Sequence, residues 1–105
     1  MCADLGARFD KIRLGQAPVV MPDWHPLRVA EDIALLDNMT DGRVDPGAGR
    51  GTNECSCIQF NIDADKCNAD RNTTLLRECL DIIIRVWTDD PFNYRGDFYQ
   101  FPVPD

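Results

Sequence analysis

Apolar and polar positions follow different periods along the chain, and each period predicts an element. Residues 11–21 are almost continuously apolar or branched, which predicts a strand that is buried on both faces. Over residues 26–40, apolar side chains recur at helical spacing, behind Pro26 at the first helical position and before Gly42, which suits a left-handed C-cap. A short second strand follows at residues 43–48. The order of strand, helix and strand is that of a βαβ unit.

The second half of the chain predicts a loop, a helix and a hairpin. Residues 52–71 are polar and irregular, which is typical of a long functional loop. Residues 73–87 predict a helix whose apolar stripe consists of Leu76, Cys79, Leu80, Ile83 and Trp87. The charged residues of this helix, Glu78 among them, are predicted to lie mostly outside the stripe. Residues 92–101 alternate around a central glycine and predict a β-hairpin.

Pro18 interrupts the first predicted strand. Proline has no N–H to donate to a ladder, so the strand has a bulge or a cis peptide bond at Ala17–Pro18, or it ends at Ala17. The residues alone leave these alternatives open.

The composition is that of a single acidic globular domain. The chain has 105 residues, of which 44% are hydrophobic and 28% are charged, as in an ordinary folded domain. A formal net charge of −7 with no basic cluster argues against nucleic acid as a partner. The apolar stretches are too short to span a membrane, and the N-terminus lacks the apolar segment of a signal peptide. We therefore expect a cytoplasmic protein.

The five cysteines are unevenly spaced, at Cys2, Cys55, Cys57, Cys67 and Cys79. An odd number of cysteines without a signal peptide favours reduced thiols over a disulfide framework. The alternative is a zinc site built from the last four. Structural zinc sites usually contain two pairs of closely spaced ligands, and here only Cys55 and Cys57 form such a pair. We therefore predict no metal site.

Candidate chemistry lies in the glycine-rich segment GAGRG, residues 47–51. Glycines at alternate positions let the backbone approach a ligand closely, and Arg50 suits a phosphate group. No helix pattern begins directly after the segment, so the Rossmann pattern is not met and a plain flexible turn is the alternative. His25 is the only histidine, and its isolation from nucleophiles and acids favours a capping or structural role over catalysis.

The order of these motifs resembles the bacterial luciferase-like family of flavin-dependent monooxygenases. The resemblance begins at KIRLGQAPVVMPDWHPLRVAEDIALLDNMTDGR, continues through GAGRG, and resumes at FNID and at LRECLDIIIRVWTDDPFNYRGDFYQF. The family fold is a TIM barrel of eight strands and about 250 residues. The resemblance therefore implies an α/β chain that contains the third and fourth strands, their helices and the hairpin after them, or about a third of the barrel.

The resemblance also implies a cofactor and residues that bind it. The cofactor is reduced FMN, or a deazaflavin in some members, which reacts with oxygen or exchanges a hydride with an organic substrate. Ala17 and Pro18 match the position where the family often has a cis peptide bond behind the flavin ring. Gly49, Arg50 and Gly51 match the segment that approaches the flavin and its phosphate. The resemblance identifies no catalytic residue in this chain.

The helix at residues 26–40 matches the subunit-contact helix of the family, which implies a homo- or heterodimer. An incomplete barrel has two unpaired sheet edges, so we expect this chain alone to be inactive. The first hypothesis is a flavin-dependent monooxygenase present as an incomplete barrel. The alternatives are an inactive remnant that acts as an interaction module with a full-length relative, and a small metal-binding protein built on the four central cysteines.

Overall fold

The computed structural model describes residues 1–51, 59–64 and 69–102. The helices are α1 (Cys2–Arg8), α2 (Pro26–Met39) and α3 (Ala69–Thr88), and the strands are β1 (Leu14–Val20), β2 (Val44–Gly49), β3 (Tyr94–Arg95) and β4 (Gln100–Phe101). Short 3₁₀ turns occupy Met21–Asp23 and Ile62–Ala64. β1 pairs with β2 in parallel, and β3 pairs with β4 antiparallel. The predicted α/β architecture of two parallel strands, their helices and a β-hairpin is confirmed.

Pro18 produces a bulge in β1. The register of β1 against β2 shifts between Gln16 and Val19, on either side of the proline. The Ala17–Pro18 bond is trans, and the cis bonds among the described residues lie elsewhere. A bulge leaves a residue without a ladder partner, so Pro18, which lacks an N–H, can lie in the bulge without removing a hydrogen bond from the ladder. The strand continues past Pro18, and both the cis bond and the strand end at Ala17 are wrong.

β1 is more exposed than its sequence predicts. Leu14 is buried, whereas residues 15–18 are exposed. Burial on both faces requires a packed layer over each face of a sheet, and the described residues form a sheet of only two strands, β1 and β2, which gives such layers little surface to cover. The strand also begins at Leu14 instead of residue 11, because the ladder with β2 begins there and Ile12 is 46% exposed.

The core lies between α2, α3 and the two 3₁₀ turns. Its buried members are Met21, Val29, Ala30, Ala64, Leu75, Cys79 and Ile83. The buried face of α3 is therefore rotated from the predicted stripe and includes Leu75. Trp87 belongs to the predicted stripe but is 46% exposed, and its indole Nε1 donates to the carbonyl of Ala30 at 3.1 Å.

α3 begins at Ala69, inside the segment that was predicted as loop up to residue 71. Its first turn is polar, so apolar periodicity could not reveal it. Asn72 in this turn is fully buried, and its Nδ2 donates to the carbonyl of Ala64 at 2.9 Å. Apart from residues 59–64 and 69–71, the predicted loop lies outside the described residues.

Arg43 joins the first helix, the start of β1 and the end of α2. Its guanidinium donates to the carbonyls of Gly6, Phe9, Ile12 and Thr40, at 3.1, 2.7, 2.9 and 2.8 Å. Carbonyl groups near helix C-termini carry partial negative charge, so a cation is favourable at this position. The arginine at the start of the second strand is thus a structural residue.

Glu78 is buried, contrary to the prediction that it lies on the charged face. Its side chain carboxylate accepts hydrogen bonds from the backbone N–H groups of Asp97, Phe98 and Tyr99, at 3.0, 3.0 and 2.7 Å. A Cβ at Gly96 would collide with this carboxylate. One side chain of α3 therefore holds the hairpin turn. The prediction failed because the partners of Glu78 lie 19 to 21 residues away, beyond the reach of helical periodicity.

Replacing Glu78 with alanine is expected to lower the free energy of unfolding by about 2 kcal/mol or more, because three backbone N–H groups lose a charged acceptor. Chemical denaturation measures the change. The control is Asp81→Ala on the same helix, which removes a half-exposed ion pair with Arg85 and should cost less than about 1 kcal/mol. Equal losses in the two variants would contradict the role of Glu78.

The buried thiol of Cys79 makes stability decrease at alkaline pH. Burial, followed by the neighbouring Glu78 carboxylate, raises the pKa of Cys79 from 9.0 to about 11. Between these values the unfolded chain loses a proton that the folded chain keeps, so the free energy of unfolding falls as pH rises. Denaturation from pH 9 to 11 should show this decrease, and Cys79→Ala should show a smaller one. The same pH dependence in the variant would assign the loss to other groups.

Candidate functional site

The carboxyl ends of β1 and β2 lie at the same edge of the sheet, because the two strands are parallel. In α/β proteins, ligands bind at this edge. The five predicted site residues lie on or directly after these strands: Ala17 and Pro18 in β1, Gly49 at the end of β2, then Arg50 and Gly51. We call these five residues the candidate edge.

Pro18 and Gly49 are in direct contact across the two strands. A Cβ at Gly49 would lie 2.7 Å from Cγ and 2.8 Å from Cβ of Pro18, too close for real atoms. Similarly, a Cβ at Gly47 would lie 2.7 Å from the carbonyl oxygen of Gln16. Strand packing therefore requires these two glycines, whether or not a ligand is bound. Gly51 adopts a φ of 82°, in the left-handed region that favours glycine.

Arg50 presents an exposed guanidinium at the end of β2. Its Nη1 lies 3.5 Å from Oγ1 of Thr73, a half-buried residue near the start of α3. The salt bridges among the described residues do not include Arg50. The arrangement places a positive charge and a hydroxyl side by side, which is a donor set for an anion.

His25 has a structural position without acting as a cap. It occupies the N-cap position of α2, but its side chain makes no capping hydrogen bond. Its ring instead packs edge-on against Tyr99 and Phe101, with centroid distances of 5.5 and 5.8 Å. His25 therefore joins the start of α2 to the hairpin. Of the two roles predicted for it, capping or structural, the structure shows the structural one.

Sequence reasoning missed two residues next to the candidate edge. Thr73 contacts Arg50, and Asn61 donates from Nδ2 to the carbonyl of Pro22, just after β1, at 3.0 Å. Asn61 lies in the stretch that was predicted as an irregular loop, and Thr73 is on the polar first turns of α3. Asn61 belongs to the FNID segment of the resemblance, which assigns it no role, and Thr73 belongs to no apolar period.

Most of the central cysteines of the alternative zinc site lie beyond the part of the chain that the structure describes. Cys55, Cys57 and Cys67 lie outside the described residues, and Cys79 is buried in the core. Within the described ranges, His, Cys, Asp and Glu form no group of three or more that could hold a metal ion. No described helix combines the length and the apolar character needed to cross a membrane.

The side of α2 that faces α1 and β1 contains exposed apolar side chains. Leu35 is 59% exposed and Met39 is 62% exposed. Together with Met1 and Cys2 of the first helical segment, they line an open cavity of about 610 Å³ between α1, β1 and α2. The helix that was predicted to contact another subunit therefore has an accessible apolar surface.

The fold is that of a known family of proteins. The model of the luciferase-like monooxygenase family matches residues 1–105, and the chain belongs to this family. The chain is 34% identical over 100 residues to the oxygenase component of the flavin-dependent trigonelline monooxygenase of Acinetobacter baylyi. This alignment covers 95% of this chain and 27% of that protein.

Two solved structures have the same fold. Monooxygenase RslO1 from Streptomyces bottropensis has a TM-score of 0.84 and 29% identity, over 95% of this chain and 29% of its own. The oxygenating constituent of 3,6-diketocamphane monooxygenase from Pseudomonas putida, in complex with FMN, has a TM-score of 0.83 and 23% identity, over 99% of this chain and 28% of its own. This chain therefore spans 27–29% of the length of these relatives and matches about a third of a luciferase-like TIM barrel.

Replacing Gly49 with alanine is expected to lower the free energy of unfolding by about 1–3 kcal/mol, because the new Cβ overlaps the ring of Pro18. Ala48→Ser, at the neighbouring exposed position, is the control and should stay within about 0.5 kcal/mol of the parent. Combining Gly49→Ala with Pro18→Gly should recover part of the loss, since glycine removes both Cγ and Cβ at position 18. Strictly additive losses would contradict the contact.

Proposed function

We propose that this chain is the part of a flavin-dependent monooxygenase that binds FMN at the candidate edge. The observation that carries the proposal is Arg50, an exposed guanidinium that follows directly after β2 between two glycines and lies beside Thr73. The FMN in the diketocamphane monooxygenase structure and the name of the trigonelline enzyme support flavin as the cofactor of the family. A deazaflavin that carries a phosphate is the alternative cofactor.

The candidate edge and the neighbouring Thr73 together offer hydrogen-bond donors that fit a phosphate group. Arg50 supplies charge-assisted N–H donors, and the hydroxyl of Thr73 supplies one more donor. Gly49 and Gly51 have no side chains that would obstruct a ligand between the two strand ends. Because the chain has a net charge of −7, a phosphate is repelled at long range, and its affinity depends on this local cation.

The residues of the candidate edge would divide the binding of FMN between its two ends. Arg50 and Thr73 would hold the phosphate, whereas the exposed apolar residues Ala17 and Pro18 would contact the flavin ring. Pro18 is fixed in place by its contact with Gly49, so it forms a rigid surface. Reduced FMN, when bound, supplies the electrons for inserting one oxygen atom of O₂ into an organic substrate.

The exposed apolar surface of α2 supports a dimer as the assembled form. Leu35 and Met39 are more than half exposed at 59% and 62%, and they neighbour an open apolar cavity. Solvent-exposed apolar clusters of this kind mark interaction surfaces. The second subunit would be another copy of this chain or a full-length relative, as in the interaction-module alternative.

Replacing Arg50 with alanine is expected to weaken FMN binding about 10- to 100-fold, because the phosphate loses a charge-assisted partner. Quenching of flavin fluorescence during titration with the chain measures the dissociation constant. Stability should change by less than about 0.5 kcal/mol, since the Arg50 side chain is exposed.

The control for this experiment is Arg95→Ala, which removes an exposed arginine of the hairpin. It changes the net charge equally and should leave the affinity for FMN unchanged. If Arg50→Ala binds FMN as tightly as the parent chain, Arg50 does not belong to the site. If both variants weaken binding equally, the effect comes from the net charge and not from a local contact.

A further inference from the structure

The side chain of Asn61 links the 3₁₀ turn that follows β1 to the 3₁₀ turn before α3. Its Nδ2 donates to the carbonyl of Pro22 at 3.0 Å, and its Oδ1 accepts from the backbone N–H of Asp63 at 3.0 Å. The backbone carbonyl of Asn61 also accepts from the N–H of Ala64 at 3.0 Å. Both ends of the amide are therefore used, one within its own turn and one across to the 3₁₀ turn after β1, and the side chain also has a hydrogen bond with the phenol of Tyr99.

The same 3₁₀ turn is attached to the start of α3. Nδ2 of the fully buried Asn72 donates to the carbonyl of Ala64 at 2.9 Å. The guanidinium of Arg71 forms an ion pair with the carboxylate of Asp63. Thr73, which contacts Arg50, directly follows Asn72 in the helix. The turn is thus held on one side to the 3₁₀ turn after β1 and on the other to the turn of α3 that leads into Thr73.

We propose that Asn61 is a positioning residue for the FMN phosphate. By holding the turn to Pro22, it sets the distance between the end of β1 and the start of α3, and therefore where the hydroxyl of Thr73 meets Arg50. The proposal rests on the proposed function, because it assigns the phosphate to Arg50 and Thr73. Asn61 itself does not contact Arg50 in the hydrogen bonds of the described residues.

A local structural role for Asn61 predicts a different result. If Asn61 only stabilised its own turn, its loss would lower stability and would affect all flavins equally. If it positions Thr73, its loss affects the phosphate contact alone. FMN and riboflavin differ only by that phosphate, so the ratio of their affinities separates the two roles.

The experiment compares two variants of the 105-residue chain with the parent. Asn61→Ala removes the side-chain hydrogen bonds with Pro22, Asp63 and Tyr99. Asn61→Ser keeps an oxygen that can accept from the Asp63 N–H, as in an ST turn, but the shorter side chain does not reach Pro22. Asn38→Ala is the matched control, because the Asn38 side chain bonds only within its own helix, to the carbonyl of Ala34.

Fluorescence titrations with FMN and with riboflavin are made below the melting temperature of each variant. We expect the parent to bind FMN more tightly than riboflavin. Both Asn61 variants should bind FMN about five- to tenfold more weakly, as expected for one misplaced hydrogen bond, with riboflavin changed less than about twofold. Asn38→Ala should match the parent for both flavins.

Two results would overturn the positioning role while leaving the FMN site intact. One is an equal loss of affinity for FMN and riboflavin, and the other is an Asn61→Ser variant that binds FMN like the parent, since the bond to Pro22 is then unnecessary. A parent chain that binds FMN and riboflavin equally would instead contradict the phosphate site itself, and the positioning role with it. Asn61→Ser keeps the test valid if Asn61→Ala does not fold.

Discussion

The close contact between Pro18 and Gly49 is the constraint on which the candidate site depends. The ring of Pro18 occupies the space where any other residue at position 49 would place its Cβ, only 2.7 Å from Cγ of the ring. Proline also forces the bulge that shifts the register of β1 against β2. Gly49 is the last residue of β2, so Arg50 leaves the sheet directly after this contact.

α3 contacts the candidate edge at its start and the hairpin further along. Its first turns are attached to the 3₁₀ turn through Asn72 and contact Arg50 through Thr73. Further along the helix, the carboxylate of Glu78 holds the hairpin turn by three backbone N–H groups. The hairpin in turn packs Tyr99 and Phe101 against His25 at the start of α2. A single helix thus connects the candidate edge, the hairpin and the helix with the exposed apolar surface.

The sequence predicted the features that depend on local periodicity and missed those that depend on distant partners. Strands, helices and the hairpin follow from apolar spacing, and the resemblance added the family and Arg50. The burial of Glu78 was missed because its partners are backbone groups of a hairpin 19 to 21 residues away. Thr73 follows no apolar period, and Asn61 lies in the FNID segment without an assigned role, so only the folded chain places them beside Arg50 and Pro22.

The most direct test of the account is the ³¹P resonance of FMN in the presence of the chain. A phosphate that accepts hydrogen bonds from Arg50 and Thr73 leaves its aqueous environment, so its resonance should shift and broaden in proportion to the bound flavin. A resonance that stays at the position of free FMN, while flavin fluorescence reports binding, would show that the phosphate is not held. That result would contradict the assignment of the candidate edge as the FMN phosphate site.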